Sequence, residues 1–209
     1  MGKSEKATLK LRLTFTEPLL GTLPGDKEIA KEFITSKHPE GSQDDEEVSL
    51  RDEVEKQSTF FSYNDKNEPI LWDYQIKGFL KSACQAMIAT DCFTKEELNK
   101  IRLTTYLYKR TIDQLVFIAP RKVLLVLPEN GELSFCERPL RAETRKGERI
   151  ALARSEQAPI GTKAVFKIAT LNAKLPDYIV RWLDYGELSG LGQWRNSGKG
   201  RFSYEIIGK

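Results

Sequence analysis

The chain has 209 residues, 40% hydrophobic and 30% charged, with a formal net charge of +3. That composition suits a single domain with a real core, and no apolar run approaches the roughly 20 residues that span a bilayer. One histidine, His38, and three cysteines at unmatched spacings, Cys84, Cys92 and Cys136, argue against a His-based zinc site, a metal knuckle and a Ser-His-Asp triad.

The first residues, MGKSEKATLKLRLTF, lack an apolar signal core and a small-residue cleavage site, so a cytoplasmic chain with reduced thiols and no membrane partner is expected. Within ATLKLRLTFTEPLLG, Leu9, Leu11, Leu13 and Phe15 alternate with Lys10, Arg12 and Thr14. This period of two predicts a half-buried strand ended by Pro18 and Gly21. Residues 22–57 carry Pro24-Gly25, a short amphipathic piece and the acidic run PEGSQDDEEVSLRDEVEK at 39–56. They read as a charged insertion within one domain spanning 1–209.

STFFSYNDKNEPIL (58–71) predicts a hairpin turning at Asn64–Asn67. In WDYQIKGFLKSACQAMIAT, Ile76, Leu80, Ala83, Cys84 and Met87 recur at helical spacing. Thr94 with Glu97 three residues on is a capping-box pattern opening a second short helix. Strands are then expected over LTTYLYKRTIDQLVFIAP (103–120) and over KVLLVLPENGELSFCERPLR, the latter as a hairpin around Pro128–Gly131. APIGTKAVFKIATL places Gly161 in a turn and Ala164, Phe166 and Ile168 on one strand face. PDYIVRWLDYGEL reads as a helix with Pro176 near its start and a stripe of Ile179, Trp182 and Leu183. A glycine-rich loop and a last strand, RFSYEII, follow. The expected class is α+β, a ferredoxin-like (RRM-like) βαββαβ core with insertions.

Charge is unevenly spread, and its clusters are the candidate contacts. Residues 138–154 hold Arg138, Arg141, Arg145, Arg149 and Arg154 with Lys146. Arginine forks suit phosphate, although Glu137, Glu143 and Glu148 could instead pair with them on a solvated hairpin. In GLGQWRNSGKGRF, Gly190, Gly192, Gly198 and Gly200 let the backbone turn and approach a partner. Arg195, Lys199 and Arg201 add phosphate charge there, and Trp194 could stack on a base. The plainer alternative is a turn that only joins helix to strand. Lys77 and Lys81 lie one helical turn apart near a helix N-terminus, as anion contacts or as solubilising lysines. Tyr106 and Tyr108 would offer stacking surfaces on a strand, or core packing. Asp44–Glu47 lack the spacing of a calcium loop, so no metal and no cofactor is expected.

Pieces of the sequence, in this order, resemble the RAMP superfamily, the repeat-associated proteins that form the backbone of CRISPR effector complexes. EPILWDYQIKGFLKSACQAM is similar to the start of the family's first helix, matching over Ile76–Lys81. ERPLRAETRKGERIALARSEQAPIGTKAVFKIATL resembles a central stretch in which a basic hairpin leads to an acidic residue (Glu156), a glycine turn (Gly161) and a strand. LPDYIVRWLDYGELSGLGQWRNSGKGRFSYEII resembles the last helix, the glycine-rich loop and the final strand. Trp72-Asp73-Tyr74-Gln75 departs from the usual Pro-Gly-Ser-Ser and alters the lip of the implied RNA groove. The likeness is to backbone subunits, type III-like, that coat guide RNA, and a stand-alone or mobile-element relative is one form of it. It implies RNA as partner and a homo-oligomer or a subunit of a ribonucleoprotein. Some relatives cut RNA, so an endoribonuclease using Asp26 or His38 is the alternative, beside an interaction protein that mimics a CRISPR subunit.

Overall fold

The computed structural model describes residues 6–25, 58–144 and 147–208, with side chains outside 140–152. Strand β1 (Ala7–Phe15) forms where alternation predicts it, and Leu9, Leu11, Leu13 and Phe15 are buried. The chain then makes two short strands, β2 (Leu19–Leu20) and β3 (Leu23–Pro24). After residue 57 come β4 (Ser58–Phe60), β5 (Ser62–Tyr63) and β6 (Pro69–Trp72). β5 and β6 pair through the expected turn, whose Asn67 takes φ 59°.

Helix α1 (Asp73–Ala89) buries Ile76, Phe79, Leu80, Ala83 and Cys84, and its burial pushes the Cys84 thiol up to about 12. Gln75 reaches back to accept the Trp72 amide at 2.7 Å, tying off the first turn. Helix α2 (Lys95–Ile101) opens with the predicted capping box: the Glu97 amide donates to Thr94 Oγ1 at 3.2 Å, and the Thr94 amide to Glu97 Oε2 at 2.8 Å. Those bonds to Thr94 hold the Glu97 carboxyl below the usual range.

Residues 103–120 depart from the expected strand. Helix α3 (Tyr108–Leu115) precedes a short β7 (Val116–Ala119). Aromatic and β-branched residues favour a strand locally, but Tyr108, Thr111, Ile112 and Leu115 share a helical face. That face packs inward, with the Tyr108 hydroxyl donating to Gln85 Oε1 at 2.9 Å and Thr111 Oγ1 to the Arg102 carbonyl at 2.7 Å. Tyr108 is therefore a core residue, and Tyr106, 94% exposed, stands in the preceding turn and not on a strand.

The expected hairpin at 122–141 is also corrected. Its turn exists, with the Gly131 amide on the Pro128 carbonyl at 2.9 Å. Yet β8 (Lys122–Val126) and β9 (Ser134–Thr144) enter different sheets. β8 has no free edge to offer, because β6 pairs over Lys122–Leu124 and β11 over Leu125–Val126. β9 instead forms a long hairpin with β10 (Gly147–Ala158), in register from Thr144↔Gly147 to Ser134↔Gln157.

β11 (Lys163–Thr170) buries Ala164, Phe166, Ile168 and Thr170, and α4 (Leu175–Ser189) buries Ile179, Trp182 and Leu183. β12 (Phe202–Gly208) completes the larger sheet. Among the described strands that sheet runs β12-β1-β11-β8-β6-β5, with β7 also beside β11. The second sheet runs β2-β10-β4-β3, with β9 on β10. The architecture is mixed α+β with mainly antiparallel sheets, and α1 and α4 pack side by side on the larger sheet. No described helix is long and apolar enough to cross a membrane.

Glu156 joins the two sheets. It is buried on β10, accepting from the Phe61 amide at 2.9 Å and the Tyr63 hydroxyl at 2.5 Å. Desolvation, then that bond to Glu156, raises the Tyr63 phenol above its ordinary range. A raised folded-state pKa gives stability that is complete below the unfolded value of about 10 and is lost as pH rises through the folded one. Tyr63→Phe should cost about 1–2 kcal/mol in urea unfolding at neutral pH and flatten the fall in stability above pH ~10. A steep, unchanged alkaline fall would mean the pair does not couple the sheets.

Candidate nucleic-acid interface

The glycine-rich segment leaves α4 at Gly190, whose φ of 76° turns the chain while its amide bonds the Gly186 carbonyl at 2.8 Å. Backbone bonds then anchor both ends: Leu191 N to Gly200 O at 2.9 Å, Gly200 N to Pro18 O at 2.9 Å, and Thr16 N to Arg201 O at 2.9 Å. Gly200, at φ 72°, lies so close to the Leu191 carbonyl that no Cβ fits. Part of the glycine pattern is thus explained by chain packing alone.

The tip of the loop behaves differently. Trp194 adopts a left-handed φ of 53° before a 3₁₀ turn over Arg195–Ser197, and the residue stays 38% exposed. The Arg138 guanidinium of β9 lies 4.8 Å from the centroid of that ring. Arg138 Nη2 donates to Gln193 Oε1 at 3.1 Å, and Gln193 Nε2 donates to the Gly21 carbonyl at 2.7 Å and to Thr59 Oγ1 at 3.2 Å. One amide side chain therefore fastens the loop, the hairpin, β4 and the β2–β3 connection. Arg195 Nη1 reaches Ser82 Oγ on α1 at 3.3 Å.

Arg138, Arg195, Lys199 and Arg201 form no ion pair among the described residues. Nε and Nη1 of Arg138 are shielded from solvent and have no hydrogen-bond partner among those residues. Unmet guanidinium donors shielded from water are costly in a protein.

Other sequence candidates fall elsewhere. Lys81 Nζ pairs with Asp113 Oδ1 at 2.5 Å, and Lys77 Nζ donates to the Asp113 carbonyl at 3.4 Å. Both reach α3 through Asp113. Burial lowers the Lys77 pKa, opposed by the charge of Asp113. Arg154 pairs with Glu137 at 3.5 Å and lies 3.8 Å from the Phe135 centroid. On the hairpin backbone, Arg141 stands opposite Ile150 and Arg149 opposite Ala142. Arg145, Lys146, Asp26, His38 and Asp44–Glu47 lie outside the described residues. Gln193, Ser82 and Thr59 were not singled out by the sequence, because their roles arise only from contacts between segments far apart in the chain.

The fold and this interface define an α+β protein with a basic hairpin clasped to a glycine-rich loop. No protein-family model matches the sequence, and no curated protein matches it. Solved structures do. A chain of the type III-B Cmr-β complex bound to cognate target RNA is similar with a TM-score of 0.55 at 11% identity, over 96% of this chain. This chain spans 59% of that one. A chain of a type IV-B CRISPR complex is similar with a TM-score of 0.50 at 11% identity, covering 97% of this chain and 91% of that chain. At such identity the likeness is one of fold alone.

Gly200→Ala should destabilise by several times the cost of Gly198→Ala, for which about 1 kcal/mol, a shift of about 2–4 °C in melting temperature, is expected. Gly198 needs a positive φ of 81° but has room for a Cβ, the nearest atom being an Arg201 guanidinium atom at 3.7 Å. Equal melting temperatures for the two variants would remove the packing role of Gly200.

Proposed function

We propose that the chain is a RAMP-like, RNA-binding subunit of a CRISPR-type ribonucleoprotein, holding single-stranded RNA by its backbone. The observation that carries this is the Arg138 guanidinium 4.8 Å from the centroid of the partly exposed Trp194 ring, beside a loop whose Arg195, Lys199 and Arg201 form no ion pair among the described residues. Phosphates would meet the guanidinium and ammonium groups, and a base or sugar would meet the indole. The strand order β12-β1-β11-β8, with α1 and α4 as the two crossovers, supports a ferredoxin-like βαββαβ core. The similar structures, a type III-B Cmr-β complex bound to cognate target RNA and a type IV-B CRISPR complex, support the same class of ligand and an assembly built from several chains. The interface needs no cofactor and assigns no catalytic residue.

Lys77 and Lys81 take no part in this interface, since Asp113 engages both. The Arg195→Glu, Arg201→Glu double variant should lower affinity for a labelled single-stranded RNA at least tenfold in fluorescence anisotropy. Its logarithmic salt dependence should flatten by about 1–2, at roughly 0.7 per lost phosphate contact on a single strand. Its melting transition should stay within a few degrees of the parent. Equal affinity in parent and variant would remove the loop from the site.

A further inference from the structure

α1 and α4 cover only one face of the larger sheet. The inward residues of β1 and β11 are buried against them, so strand alternation turns Lys10, Arg12, Lys163, Val165 and Lys167 to the other face. Register sets these residues side by side. Lys10 stands opposite Lys167, and Arg12 lies between Val165 and Glu205. Glu205 neutralises Arg12 at 3.0 Å, whereas Lys10, Lys163 and Lys167 have no ion pair among the described residues.

Lys10 and Lys167 are directly opposed like charges, an arrangement that destabilises an isolated sheet. An anion lying between them would convert that repulsion into attraction. The lysines are interleaved with apolar surface: Val165, 39% exposed, sits between Lys163 and Lys167. Phe117 of β7, 46% exposed, stands opposite Ala169 with Lys77 Nζ 5.5 Å from its ring centroid. Separated cations with flat apolar ground between them suit phosphates and bases of a flexible single strand.

We propose that this open face is a second contact surface for single-stranded RNA, separate from the glycine loop. The separation follows from β12: the loop enters at Phe202, whereas Lys10 pairs with Gly208, six residues on, roughly 20 Å at about 3.3 Å per residue. The chain then holds RNA at two places. The inference rests on RNA being the ligand at the loop, and the test separates the two.

The experiment titrates the full chain with a six-nucleotide oligouridylate and counts bound copies by native mass spectrometry and calorimetry. Two sites are expected. Lys10→Glu with Lys167→Glu should weaken one of them at least tenfold and spare the site that Arg195→Glu with Arg201→Glu removes. Lys10→Gln with Lys167→Gln, which removes the repulsion, should melt no lower than the parent and still lose the sheet site. A single site, insensitive to either sheet variant, overturns this inference and leaves the loop reading intact. A single site lost only in the sheet variants supports the sheet and overturns the loop. Polyglutamate displacing oligouridylate from the sheet with equal affinity overturns RNA as its ligand.

Discussion

The Gln193 side chain is the constraint on which the interface depends. It accepts from Arg138 and donates to Gly21 and Thr59, so one amide holds the hairpin, the glycine loop and two segments of the second sheet together. A planar amide can do this because it carries donors and an acceptor at one end of a short stem. Next to it, Trp194 keeps a left-handed backbone and presents its ring against Arg138. The loop is therefore a braced element, shaped at its base by glycines and at its tip by side-chain bonds.

Helix α1 sorts the charges around it. Its Lys77 and Lys81 turn to Asp113 on α3, while Ser82, a quarter turn further round, meets Arg195 of the loop. Lys81 is ion-paired on one side of the helix, whereas Arg195 on the other forms no ion pair among the described residues. A basic side chain becomes available to a polyanion only where no carboxylate competes for it, and among the described residues Arg195, Lys199 and Arg201 of the loop and Lys10, Lys163 and Lys167 of the sheet face form no ion pair. Net charge alone, +3, would not have distinguished these places.

Much of the fold was legible because local periodicity and global packing agree in it. β1 and β11 alternate and bury alternate residues, and α1 and α4 carry apolar stripes that become their inner faces. The Thr94–Glu97 box is a contact within one turn and is readable from four letters. Glu156 was legible through the RAMP resemblance as an acidic residue after a basic hairpin, but not as a tie to Tyr63. Residues 103–120 misled because TTYLY has strand propensity while its inward stripe is helical. KVLLV and SFCERPLR look like one hairpin until the edges of β8 are seen to be taken by β6 and β11. The cations were legible as charge, but their availability was not, since it depends on which carboxylates the fold brings near.

The central claim is that RNA lies against the braced loop. Ultraviolet crosslinking of the chain to a 4-thiouridine-substituted single-stranded RNA, with crosslinked peptides read by mass spectrometry, tests it most directly. The account predicts adducts on the peptide carrying Trp194 and on β9 around Arg138. Adducts confined to α2 and α3, with none on either of those segments, would contradict it.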